Sequence, residues 1–117
     1  MIKPNYRRLD IWYVRLDPTE GSEAQKTRPC LVLQNNVGNE FSDVTIIAPF
    51  LEPKKYPFVV NVKPSSTNGL DRVRGLNLSQ MRVVSYTRFI SQLGVLESQY
   101  TNQIDRAVSI ELSLFNF

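Results

Sequence analysis

Between Asp10 and Leu16 apolar and polar positions alternate with the period of two that a half-buried strand needs, setting Trp12, Val14 and Leu16 on one face and Ile11, Tyr13 and Arg15 on the other. From Arg28 to Gln34 the apolar residues run almost unbroken, the pattern of a strand covered on both faces. The next residues, Asn35-Asn36-Val37-Gly38-Asn39, tolerate left-handed backbone and predict a turn into a third strand, Val44 to Pro49, antiparallel to the second. Pro57 to Val62 predicts a fourth strand, and Lys63 to Gly69 a polar loop with room to move. Short strands are expected within Gly75 to Ser85 and around Phe89 to Gln92. The period then changes, because Tyr100, Ile104, Val108 and Leu112 recur every fourth residue, with Ala107 and Leu114 on the same side. That spacing predicts an amphipathic helix closing the domain. Short strands wrapped as a small barrel under a terminal helix, a mainly β (α+β) architecture in one domain over residues 1–117, is the expected fold.

Composition narrows the chemistry. A chain of 117 residues can bury one core, and no apolar run is long enough for a membrane helix, so no membrane partner is expected. Lys3, Arg7 and Arg8 are followed by no apolar stretch of the kind a secretory signal carries, which makes the cytoplasm the expected location. The chain has one cysteine and no histidine. An internal disulfide, a Cys/His zinc site and a histidine-based nuclease mechanism are therefore all excluded, and neither a metal nor a cofactor is expected. Cys30, inside an apolar strand, reads as a small packed side chain.

The net charge of +3 and the pI near 9.2 suit a polyanionic partner without requiring one. Lys54-Lys55-Tyr56, Arg72-Val73-Arg74 and Arg82 set cations beside loops, in one case with an aromatic neighbour; cations hold phosphates and rings stack on unpaired bases. A solvated charged face is the equally plain reading of any one of these clusters.

The densest chemistry lies between Leu16 and Asn39. Asp17, Glu20, Glu23 and Lys26 fill a polar loop that leads directly into Arg28-Pro29, so charged groups are expected to crowd one edge of the barrel near Arg28. Asp17-Pro18, Gly21-Ser22-Glu23 and Arg28-Pro29 occur in that order. Gln34-Asn35, Gly38-Asn39, Phe41-Ser42, Lys55-Tyr56-Pro57-Phe58, Gln80-Met81-Arg82 and Ile104-Asp105 follow. In these pieces and their spacing, over nearly its whole length, the chain resembles the MazF/PemK family of toxin ribonucleases. The resemblance implies an SH3-like small barrel of the CcdB/MazF type that forms a homodimer. It also implies metal-free, sequence-specific cutting of single-stranded messenger RNA to a 2′,3′-cyclic phosphate, and a cognate antitoxin that covers the RNA groove. Duplex DNA would be reached only through the antitoxin, since the chain has no recognition helix of its own.

In such a reaction the substrate's 2′-OH attacks the neighbouring phosphorus, and the protein must take up that proton, stabilise the non-bridging oxygens and assist the leaving 5′-oxygen. Arg28 matches the family's active-site arginine; its fork of donors suits phosphate oxygens, and its high pKa makes it a poor base. Pairing with Glu23 or Asp17 is its plain structural alternative. Glu23 matches the family's loop glutamate and either accepts the proton or orients Arg28. Ser22, Lys26, Thr27, Lys54, Lys55 and Arg82 are candidates for RNA contacts. Gln80, with a donor and an acceptor in one amide, is a candidate for reading a base edge.

Two positions depart from the family pattern. Leu9 stands where glycine is usual. Leu51 stands where the family has threonine or serine, whose hydroxyl works beside the arginine. Leucine neither gives nor takes a proton. Its presence lowers activity, moves the role to a group such as Thr45, Ser42 or Glu52, or leaves a protein that binds RNA or antitoxin without efficient cutting.

Overall fold

The computed structural model describes residues 2–114. Seven strands, β1 (Asp10–Arg15), β2 (Thr27–Val32), β3 (Val44–Leu51), β4 (Val59–Val62), β5 (Arg74–Asn77), β6 (Arg82–Ser85) and β7 (Phe89–Val95), precede one long helix. Every pairing is antiparallel, in the order β4-β5-β3-β2-β1-β7, with β6 also on β3. The eight-residue β3 organises the sheet. Its first half pairs with β6, its last two residues pair with β5, and its opposite edge carries β2. Passing from one partner to the next along one strand is how a short twisted sheet curls into a small open barrel.

The unbroken apolar run of β2 is explained by two cores. Leu31 and Leu33 enter one, with Ile11, Phe50, Leu76, Leu78 and Ile104, while Cys30 and Val32 enter the other, with Val14, Leu16, Ile47, Val84 and Phe89. β1 alternates between them as its pattern predicts. Tyr6 stacks on Phe89 at 4.5 Å between ring centroids and Trp12 lies 5.5 Å from the same ring, which closes the second core.

Three expectations are corrected. The predicted turn at Asn35–Asn39 is a short helix, α1 (Asn36–Phe41), because the Asn35 side chain accepts from the Gly38 amide and so caps a helix. The buried Asn39 then accepts from Thr45 Oγ1 at 2.6 Å, tying α1 to β3. The loop 63–69 is pinned rather than free, since fully buried Asn68 accepts from the Ser65 and Leu70 amides and donates to the Lys63 carbonyl and Glu97. Gly94 on β7 lets that loop approach, because a Cβ there would collide with the Thr67 carbonyl. Finally, the closing helix α2 (Thr101–Glu111) buries Ile104 and Ala107, with Tyr100 just ahead of it, but Leu112 and Leu114 are exposed. Ser113 takes a φ of 55° and ends the helical spacing before Leu114.

Leu9 keeps the backbone that glycine usually supplies, with φ of 73°. The strain, of order 1 kcal/mol, is held by its amide donating to Val32 and its carbonyl accepting from Leu96. Asn68→Ala is expected to destabilise the protein by about 2–4 kcal/mol in urea unfolding, because four hydrogen bonds of one buried side chain are lost at once. A loss below about 1 kcal/mol would show that the loop does not depend on this side chain.

Candidate functional site

The end of β1, the start of β2 and the end of β3 meet at one end of the sheet. The long β1–β2 loop and the β3–β4 loop therefore leave from the same rim. In the first of these the Asp17–Pro18 peptide is cis, Gly21 and Lys26 take positive φ, and the Leu16 amide donates to the Lys26 carbonyl across the loop base.

Side chains distant in sequence, from the start of β6 and the turns before β6 and β7, fasten this loop. Arg82 Nη1 donates to the Leu16 carbonyl at 3.2 Å, and Arg88 Nη1 donates to the carbonyls of Arg15 at 3.0 Å and Asp17 at 2.6 Å. Gln80 grips the middle of the loop from both directions. Its Nε2 donates to the Ser22 carbonyl and its Oε1 accepts from the Ala24 amide, each at 3.0 Å. The amide thus imitates a neighbouring strand on either side of Glu23, and these two bonds use one of its two hydrogens and one of its two lone pairs.

The crowding of carboxylates around Arg28 does not occur. Glu23 turns back to accept from the Glu20 amide at 2.7 Å, Asp17 accepts from Thr19, and Arg28 makes no ion pair with either. Arg28 Nε donates to the Gln25 carbonyl at 3.0 Å, and its two Nη groups have no hydrogen bond among the described residues. Nearness in sequence did not reveal this, because the loop's own amides and carbonyls compete for the same charges.

Glu23, Ala24, Gln80 and Arg82 border a cavity of about 160 Å³, whose apolar wall includes Leu16 and Pro49. Ser22, Lys26 and Thr27 are exposed on the same loop. Lys54 and Lys55 are exposed on the β3–β4 loop, where the Asn61 side chain holds the Lys54 backbone and Tyr56 stacks on Phe58 at 5.2 Å. Cys30 is buried beneath the rim; burial pushes its thiol far above the ordinary range although Arg82 and Arg28 act in the opposite direction. It is chemically inert in the folded state.

Counting the β2–β3 register on from Cys30↔Pro49 sets Leu51 opposite Arg28. The other groups named for the missing hydroxyl's role are unsuited to it. Thr45 is buried and bonded to Asn39, about 20 Å along β3 from position 51; Ser42 lies farther still and accepts from the Val44 amide. Glu52 is held by Arg72 through both carboxylate oxygens, at 2.6 and 3.2 Å, and its carboxyl sits below the usual range because of that hydrogen bond and charge. Among the described residues no three His, Cys, Asp or Glu side chains converge as metal ligands would, and no helix is long and apolar enough to cross a membrane.

The sequence reading missed Arg15 and Arg88. Arg15 looks like an ordinary strand residue and Arg88 falls between predicted strands, and the β1–β7 pairing brings Arg88 to the rim where β1 ends.

Residues 7–112 match the family described as PemK-like, MazF-like toxin of type II toxin-antitoxin system. The chain is similar to the endoribonuclease EndoA of Bacillus subtilis (strain 168), with 31% identity over 114 residues, covering 95% of this chain and 97% of that protein. It is equally similar, at 31% identity, to the endoribonuclease MazF of Staphylococcus epidermidis, covering 95% and 94%. The fold matches the crystal structure of MazF from Deinococcus radiodurans with a TM-score of 0.79 at 20% identity, over 94% of this chain and 98% of that one. It also matches an endoribonuclease in complex with its cognate antitoxin from mycobacterial species, with a TM-score of 0.77 at 18% identity, over 96% and 99%.

Proposed function

Because the chain belongs to the family of PemK-like, MazF-like toxins of type II toxin-antitoxin systems, we propose that it is an endoribonuclease toxin that cuts single-stranded messenger RNA at a short sequence without a metal. The observation that carries this reading is the state of Arg28. An arginine at the foot of a fastened loop, with no hydrogen bond from either Nη group among the described residues, is ready to bind phosphate oxygens on which charge develops.

In this reading the substrate's 2′-OH attacks phosphorus and its proton passes to Glu23, whose second carboxylate oxygen has no partner among the described residues. Arg28 neutralises the non-bridging oxygens, and the 5′-oxygen leaves with a proton from solvent or from Arg28 itself. Gln80 holds the loop so that Glu23 and Arg28 keep their relation. Lys26, Lys54, Lys55 and Arg82 supply charge along the RNA backbone, and Ser22 and Thr27 polar contacts. The catalytically weakened alternative rests on Leu51 alone.

The partners we assign are single-stranded RNA, a cognate antitoxin and a second copy of the chain, with the cytoplasm as the location and the whole chain acting as one unit. The second copy is supported by an apolar groove of about 350 Å³ that Leu33, Ile46, Met81, Val108 and the exposed Leu112 line.

The test is incubation of the full chain with a long single-stranded RNA in chelator, followed by mapping of the new ends. Discrete cuts ending in 2′,3′-cyclic phosphate are expected. Cutting that needs added metal, or ends that carry a 3′-hydroxyl, would refute the mechanism.

A further inference from the structure

Ion pairs are sorted unevenly over the molecule. Among the described residues Arg8 pairs with Asp105, Arg72 with Glu52 and Arg74 with Asp71, and only the Arg72–Glu52 pair lies on a loop of the rim. Arg15, Arg28, Arg82 and Arg88 have no ion pair with a carboxylate among the described residues. Arg15, Arg82 and Arg88 instead converge on three successive carbonyls: Arg82 on Leu16, Arg88 on Arg15 and Asp17, and Arg15 on Asp17 at 3.3 Å. One oxygen, that of Asp17, thus receives two guanidinium groups. Each of the three arginines donates through Nη1, and no hydrogen bond from their Nε or Nη2 is present among the described residues.

Bringing three cations together against a single carboxylate charge opposes folding, and Arg88 bears the consequence. Burial lowers its affinity for its proton, and the charges of Arg82 and Arg15 lower it further, against only Asp17. Such an arrangement persists most readily where an anion is to be received.

The anion follows from position. Arg28, Val14 and Phe89 are cross-strand neighbours on β2, β1 and β7, so Arg88 begins about 10 Å of backbone from Arg28. Arg82 is near both, since it bonds the Leu16 carbonyl beside those that Arg88 holds and its charge, like that of Arg28, acts on the Cys30 sulfur. We propose that Arg15, Arg82 and Arg88 form a second phosphate-binding subsite, holding an RNA phosphate adjacent to the one that Arg28 addresses; this rests on the ribonuclease reading above. A nucleotide chain alternates charged phosphates with neutral bases, and the rim alternates arginines with the cavity bordered by Glu23 and Gln80. An acidic peptide would set its carboxylates against Glu23.

The test uses the full chain and oligoribonucleotides made uncleavable by 2′-O-methylation at the cut, with a single neutral methylphosphonate moved along the backbone. For the unchanged protein, neutralising the adjacent phosphate is expected to weaken binding about tenfold. In Arg88→Gln the same change is expected to matter less than about twofold, with sensitivity at the scissile phosphate retained. Arg15→Gln, at an exposed side chain, should reproduce the pattern more weakly and guards against a folding defect in the first variant. Losses that simply add would overturn the subsite while leaving the ribonuclease reading intact. Additive losses with RNA, combined with weaker binding of an acidic peptide, would assign these arginines to a protein partner instead. No binding of any RNA would sink both readings.

Discussion

Arg28→Ala is expected to lower RNA cleavage by at least about 10²-fold with the fold intact. Removing one preorganised donor aimed at developing charge commonly has that effect, and arginine offers two such donors here. The fold should tolerate the change, because the side chain is half-exposed and its one protein hydrogen bond, to the Gln25 carbonyl, contributes about 1 kcal/mol or less. Arg28→Lys keeps the charge but not the planar fork, so it should recover part of the loss. Initial rates in chelator, read beside urea unfolding of the same preparations, separate the possibilities. An alanine variant that cuts normally, or one whose loss follows its unfolding, would remove Arg28 from the mechanism.

The parts of this molecule that were legible in sequence are those where burial alone decides. The period of two in β1 and the unbroken run of β2 follow from which faces meet a core, and the spacing of Tyr100, Ile104 and Ala107 follows from how α2 covers one. Where polar residues decide, the pattern was ambiguous. Asn35 caps a helix with the same side chain that would serve a turn, and Asn68 turns a loop of unremarkable composition into a buried hub. The site was legible through its motifs only in part. Arg28, Glu23 and Gln80 do lie on or against one loop, but whether a charge faces solvent, a carboxylate or a carbonyl is settled by backbone geometry. The pairing of Arg72 with Glu52 joins residues twenty apart, and that of Arg88 with the carbonyls of residues 15 and 17 joins residues more than seventy apart. Nothing in local sequence marks either. Leu112 shows a further limit, since its helical spacing matches that of the buried Ile104 while its own chain leaves it exposed.

Leu51→Thr is expected to raise the cleavage rate about tenfold or more. Extending the β2–β3 register two residues past its last pair, Cys30↔Pro49, sets position 51 opposite Arg28, and residues directly opposite on neighbouring strands have Cβ atoms about 5 Å apart on the same face. A threonine hydroxyl there would stand beside the guanidinium, within reach of the phosphate it holds, and a positioned proton donor or acceptor contributes about 10²-fold or more in favourable geometry. Leu51 is half-buried, and threonine is at home in a strand, so lost packing should cost about 1–2 kcal/mol. Leu51→Val supplies the control. Valine matches threonine in shape and lacks only the hydroxyl, so the difference between the two variants isolates the proton-bearing group from the relief of bulk. Faster cutting by threonine alone would show a site working below its capacity for want of one hydroxyl. Equal rates in threonine and valine would mean that proton transfer here already runs through Glu23 and solvent, and that bulk at position 51 matters only for how RNA fits.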